Sequence, residues 1–247
     1  MTHPHSEYVL RRIAAQHAVF DASRREEAVL QHTHHALRLA SRNHKPDKIM
    51  MWTNDPDTFE PYGASIEVVK CDLPTSIEGH EIVWPQYMAD VMRLQILHEH
   101  GGIYMDTDIL TLASLDELVE LSSNRNHLVM SYETYGQTSI CNALMISPPK
   151  NRFIAEWLRR IPEKMSSTTW ADGGVVLPVE LSIDEKLESS RTILHHSFAC
   201  PLDLSKPWLF DPALKSEARE RAAGATAIHV FETYWRDTIK KLDMNAD

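Results

Sequence analysis

The chain has 247 residues, 43% hydrophobic and 24% charged, which is enough to bury a sizeable core and excludes a disordered or fibrous chain. Its 25 basic against 35 acidic side chains give a formal net charge of −10. That balance argues against nucleic acid or an anionic membrane surface as the main partner.

The N-terminus has no basic start leading into an apolar run, and no apolar stretch approaches the roughly 18 residues of a membrane span. The 3 cysteines, Cys71, Cys141 and Cys200, show no metal-type spacing and suit a reducing compartment. The expectation is a soluble, cytoplasmic protein without a transmembrane segment, unless an upstream anchor has been removed.

Residues 6–43 are rich in Ala, Arg, Glu, Gln and Leu and lack Gly and Pro, which predicts a helical N-terminal segment. A short apolar run at 48–52 predicts a buried strand, and 65–70 predicts a second. A helix is expected over 85–100, opened by Pro85 and stopped at Gly101-Gly102. Strands follow at 103–105, 127–131, 142–147 and 225–231, with helices at 115–121 and 151–161. This alternation predicts one α/β domain over residues 1–247 with a mostly parallel sheet flanked by helices.

Nucleotide-binding glycine loops, a Gly-x-Ser-x-Gly elbow and Cys-x2-Cys pairs are all absent from the sequence. The 14 histidines include His98-Glu99-His100, which lacks the i, i+4 spacing of a helical zinc site and suits a helix C-terminus instead.

Asp106-Thr107-Asp108 directly follows an apolar strand. In extended backbone, residues i and i+2 point the same way, so two hard oxygen ligands face one spot and suit a divalent cation bridging a diphosphate. A second Asp-x-Asp, Asp55-Pro56-Asp57, reads as a turn. Asp90 and Arg93 share a helix face at i, i+3. Their helix feeds the strand that ends at Asp106, so all four charged groups can converge at the carboxyl end of the sheet.

The segment Ala89-Asp90-x-x-Arg93-Leu94-x-Ile96-Leu97-x-x-x-Gly101-Gly102-Ile103-Tyr104-x-Asp106-x-Asp108 resembles the signature of glycosyltransferases with the DXD sugar-binding region. That group includes fungal α-1,6-mannosyltransferases and animal α-1,4-glycosyltransferases. The resemblance implies a GT-A fold and transfer, with retention, of a sugar from a UDP- or GDP-linked donor to a glycan, lipid or protein. Mn²⁺ is the implied metal and Mg²⁺ the second choice.

Position by position, the resemblance assigns Asp90 and Arg93 to the donor sugar. Asp106 falls to ribose, sugar or metal water, and Asp108 to the metal. Cys141-Asn142-Ala143 resembles the family's strand beside the donor, making Asn142 a sugar contact. Trp170-Ala171-Asp172-Gly173-Gly174 resembles the stretch after a site-closing Trp, with Asp172 as the catalytic candidate. Ala227-Ile228-His229-Val230-Phe231 resembles the strand whose His completes the metal site, and imidazole suits Mn²⁺ better than Mg²⁺.

Relatives open with a strand that helps hold the base. Here that region corresponds to residues 11–22, where 16–21 reads only as a degenerate strand, so the first strand is expected to be degenerate or missing. Trp52 suits either base stacking or the core. Two other readings stay open: a relative that binds a nucleotide sugar or glycan without turnover, and a metal-dependent hydrolase of nucleotide sugars.

Overall fold

In the computed structural model, which describes residues 9–13, 27–46, 48–57, 59, 66–165, 169 and 171–239, strand β1 (Val9–Ile13) stands where the composition predicts helix. It lies between β2 (Lys48–Thr53) and β6 (Gly102–Met105) and pairs parallel with both. Neighbours on two edges satisfy its backbone groups, and such tertiary pairing overrides a weak helical propensity. The expected helix therefore starts later, as α1 (Glu27–His44). Residues 16–21, read as the degenerate strand, lie outside the described residues.

The described residues form a seven-stranded sheet. From one edge it runs β10 (Arg191–Leu194), β8 (Leu128–Tyr132), β9 (Ile140–Ser147), β6, β1, β2 and β3 (Glu67–Lys70). Only β9 runs against its neighbours β6 and β8; the other pairs are parallel. The mostly parallel α/β sheet expected from the alternation is what the chain forms.

Two further ladders stand outside this sheet. β4 (Ser76–Ile77) and β5 (His80–Glu81) make a small hairpin, and β7 (Ile109–Thr111) pairs antiparallel with β11 (Ala227–His229). The last strand was expected in the main sheet. It sits instead on β7, a strand too short for its apolar pattern to announce it.

Helix α2 (Pro85–His100) has the expected bounds, with Pro85 in its first turn. Gly101 closes it at φ 65°, its N–H bonded to the Leu97 carbonyl. A Cβ at Gly101 would lie 2.7 Å from the Pro149 ring, so both backbone conformation and space require glycine there. The helix buries Ala89, Asp90, Val91, Met92, Arg93 and Leu94 in succession. It is buried nearly all round, which is why its sequence carries little amphipathic contrast.

Three more helices complete the central part: α3 (Asp116–Arg125), α4 (Arg152–Met165) and α5 (Leu177–Ser182). The Asn151 side chain caps α4 by accepting from Phe153 N–H at 2.9 Å. α4 packs on α2 and on one turn of π-helix at Asp172–Val176. α6 (Lys215–Arg221) and α7 (Glu232–Ile239) flank β11 in sequence.

Strand alternation divides the core. Tyr104 and Met145 face α2 and α4 with Trp157 and Phe153. Ile103, Met105, Cys141 and Ala143 face the opposite side with Ala199, Cys200 and Ala227.

Candidate active site

β6 ends at Met105, and the chain turns at once: Ile109 N–H bonds back to the Asp106 carbonyl at 3.1 Å. Asp106 and Asp108 are therefore not side by side on extended backbone, as their spacing suggested. They converge through a turn, and both are buried.

Asp106 continues the face of Tyr104, whose hydroxyl donates to Oδ1 at 2.5 Å. Its Oδ2 lies 3.3 Å from the Arg93 guanidinium. Asp108 turns the other way, and its Oδ2 accepts Glu232 N–H at 2.9 Å. The same oxygen stands 3.4 Å from His229 Nε2.

His229 reaches this position because β11 pairs with β7 in a register that sets His229 opposite Ile109. Val230 N–H then donates to the Asp108 carbonyl at 3.0 Å, so backbone bonds fix the approach. Ligand atoms of Asp106, Asp108 and His229 all lie within 4.8 Å of one another. Two carboxylates and an imidazole form a hard-to-borderline donor set that fits a divalent cation such as Mn²⁺.

Arg93 is the hub of the neighbouring cluster. Its Nη1 donates to the Asn142 carbonyl at 2.8 Å and to Asn142 Oδ1 at 3.0 Å, and its Nε lies 3.4 Å from Asp90 Oδ1. The guanidinium also sits over the Tyr104 ring, 4.8 Å from its centroid. Asn142 Nδ2 donates to Asp90 Oδ1 at 2.8 Å and to the Gly174 carbonyl at 3.0 Å. Asp90 and Arg93 are only 5% and 2% exposed, so this pair is no surface salt bridge.

The electrostatics follow from that burial. Burial pushes the Asp90 carboxyl up to about 6; Arg93 opposes the rise, the Asp106 charge adds to it, and the Asn142 hydrogen bond opposes it. Burial works against the charge on Arg93, yet Asp106, Tyr104 and Asp90 hold its pKa above the ordinary value. Burial likewise disfavours charged His229, but the Asp108 charge and hydrogen bond win and raise its pKa well above the usual value. Without metal, the surroundings of His229 thus favour its charged form beside Asp108.

Residues 31–125 match the family described as "Glycosyltransferase sugar-binding region containing DXD motif". That match spans Asp90, Arg93, Asp106 and Asp108. It is 28% identical over 225 residues to the glucan organizing enzyme 1 of Cryptococcus neoformans, covering 84% of this chain and 57% of that protein. It is 29% identical over 91 residues to human alpha-1,4-N-acetylglucosaminyltransferase, covering 37% of this chain and 24% of that one. The chain thus spans little more than half of the longer-matched relative.

Among solved structures, the mouse xyloside xylosyltransferase 1 aligns at a TM-score of 0.56 and 11% identity, covering 92% of this chain and 98% of that one. The glycosyltransferase GlyE of Streptococcus pneumoniae aligns at 0.57 and 11%, covering 96% and 61%. These likenesses show the GT-A fold.

Within the sugar-binding region and the strands behind it, Asp90, Arg93, Asp106, Asp108, Asn142 and His229 come together. Asp172 takes another place. Its Oδ1 accepts the Thr169 hydroxyl at 2.5 Å, and Gly174, two residues on, is what enters the cluster. A Cβ at Gly174 would lie 2.2 Å from Asp90 Oδ2 and 3.1 Å from Asn142 Nδ2. The π-turn brings that backbone in so close; single π-turns often accompany functional sites. Trp170 lies outside the described residues.

Trp52 packs partly buried against the α2 core, its ring 5.9 Å from His100, so it occupies the core place of its two expected roles. Gly174 and Tyr104 were missed in the sequence. Tyr104, two residues before Asp106 on the same strand face, was the legible signal. Gly174 lay in the stretch that resembles the family's site-closing segment, but its spacing did not single it out over Asp172.

Proposed function

We propose that this chain is a retaining, divalent-metal-dependent glycosyltransferase acting on a UDP- or GDP-linked sugar, with a glycan, lipid or protein as acceptor. One observation carries the reading. The Asp106, Asp108 and His229 donor set lies against the buried Asp90–Arg93–Asn142 cluster, which supports joint recognition of a metal-bound diphosphate and its sugar. Residues 1–247 are read as one catalytic domain.

Asp106, Asp108 and His229 would hold the metal, with Mn²⁺ preferred over Mg²⁺ because of the imidazole. When bound, such an ion supplies Lewis-acid stabilisation of charge on a leaving diphosphate. Asp90 would orient the sugar beside the metal-ligand set, and Asn142, whose amide N–H groups go to Asp90 and Gly174, would contact it through its amide oxygen. Arg93 spends its donors on Asp106 and Asn142, so it acts as a positioning residue. Such preorganisation lowers the barrier without changing during the reaction. No described carboxylate is assigned as a covalent nucleophile; retention follows the family resemblance. Asp172, engaged with Thr169, would act through placement of Gly173 and Gly174.

The alternative of a binding-only relative drew its support from a missing first strand. Val9–Ile13 in the centre of the sheet counts against it. Among the described residues, no helix is long and apolar enough to cross a membrane, and the three thiols are free, which fits the cytoplasm.

A thermal-shift panel of UDP- and GDP-sugars with Mn²⁺ tests the reading. A bound donor stabilises by mass action, about 2.7 kcal/mol at 100 times its Kd. One donor should raise Tm only with metal present and be turned over when acceptor is added. Stabilisation without any transfer or hydrolysis restores the binding-only reading, and hydrolysis that no acceptor diverts supports the hydrolase.

A further inference from the structure

Cys141 and Asn142 are neighbours on β9 and point to opposite faces of the sheet. Asn142 joins Asp90 and Arg93. Cys141 turns to the other face, where ligand atoms of Cys141, Cys200 and His229 all lie within 4.8 Å of one another. His229 N–H donates to the Ala199 carbonyl at 2.8 Å, which fixes residue 200 beside it. Both thiols are buried at 1% exposure and neither is in a disulfide.

The His229 imidazole thus separates two donor sets. Its Nε2 faces Asp108 at 3.4 Å, and its Nδ1 faces Cys141 Sγ at 3.9 Å. Zinc binds thiolate at ~2.3 Å and imidazole at ~2.0 Å in a tetrahedron, which sets two such ligands about 3.6 Å apart. For the Cys141–His229 pair a contraction of a few tenths of an ångström suffices, and Cys200 lies within the 4.8 Å that bounds the set.

A second observation points to a guest on this face. Ser131 stands directly opposite Cys141 in the β8–β9 ladder, so both side chains lie on one face of the sheet. Its hydroxyl is buried with no hydrogen-bond partner, which is costly unless something serves it. Glu133, two residues on, feels the charges of Cys141 and His229.

We propose that Cys141, Cys200 and His229 form a binding site for a thiophilic divalent cation, zinc above all, back to back with the carboxylate site. Any proton held on the two thiols or on His229 Nδ1 is released to solvent on binding. The neutral imidazole ligates through Nδ1, keeps its proton on Nε2 and donates it to Asp108, so it is no longer a ligand on that side. Zinc therefore competes with Mn²⁺ for His229. The competition, unlike the zinc site itself, rests on the function proposed above.

The test uses the full chain, reduced and metal-free, titrated with Co²⁺ as a spectroscopic probe and then with Zn²⁺. One equivalent of Co²⁺ should give a thiolate-to-metal charge-transfer band that Zn²⁺ abolishes. Cys200→Ala should weaken the band, leaving at most one thiolate's share, and weaken zinc binding by at least about tenfold, the loss that even a supporting residue causes at known sites. Its Mn²⁺ affinity should stay unchanged, and its sugar transfer should resist zinc. A wild-type cobalt spectrum without the thiolate band overturns the site whatever the variants do. Equal zinc affinity in wild type and Cys200→Ala overturns it as well. A normal band in a chain that transfers no sugar leaves the zinc site standing and removes the proposed function instead.

Discussion

Arg93 holds Asn142 at two points, donating to its backbone carbonyl at 2.8 Å and to its side-chain oxygen at 3.0 Å. That grip orients the Asn142 amide so that its N–H groups serve Asp90 and Gly174. Helix α2, strand β9 and the π-turn are thereby joined through one guanidinium.

Removing that guanidinium should cost both stability and activity. Arg93→Ala leaves Asp106 and Asp90 buried without their cation, a loss of about 3–5 kcal/mol. Arg93→Lys keeps the charge but not the fork, so it should retain much of the stability and little of the sugar transfer. Urea unfolding and donor turnover on both variants check this; an Arg93→Ala variant as stable as wild type would show that Arg93 is no hub.

Gly174→Ala should damage the same cluster from the backbone side. Its Cβ would overlap Asp90 Oδ2, at 2.2 Å, and overpacking of this kind costs about 1–3 kcal/mol. Thermal unfolding and donor affinity should both fall. An unchanged donor affinity would place the sugar elsewhere.

Asp90 makes stability depend on pH in a defined window. The folded protein keeps its carboxyl protonated to about 6, against an ordinary 3.8. The folded state then binds more protons than the unfolded state between these values, so stability falls as pH rises. The contribution is full below 3.8 and lost as pH passes through about 6, a change of about 3 kcal/mol. Denaturant unfolding at several pH values should show this fall in wild type and a flatter curve in Asp90→Asn.

Asp108→Asn should preserve the fold, because an amide oxygen still accepts the Glu232 N–H that Asp108 accepts at 2.9 Å. The lost charge should lower the His229 pKa in the metal-free protein, since Asp108 raises it most, ahead of Cys141. Metal-dependent turnover should drop by about 100-fold or more, the scale of losing a preorganised electrostatic group. NMR titration of His229 and Mn²⁺ binding are the measurements; unchanged Mn²⁺ affinity would remove Asp108 from the ligand set.

Much of the molecule was legible in its residues. Helix α2 has terminators that act locally, Pro85 at one end and Gly101 at the other, so its bounds came out directly. The order of apolar runs and helices determined an α/β sheet, and the spacing of Asp90, Arg93, Asp106 and Asp108 determined the local half of the site. Tertiary structure decided the rest. Val9–Ile13 became a strand because two neighbours satisfy its backbone, a condition its own residues do not encode. His229 joined Asp108 because β11 pairs with β7. Cys141 met Cys200 and His229, and Gly174 met Asp90, by the same logic. Short-range hydrogen bonding and periodicity are written in neighbouring residues; which distant backbones pair is settled only when the whole sheet closes around its core.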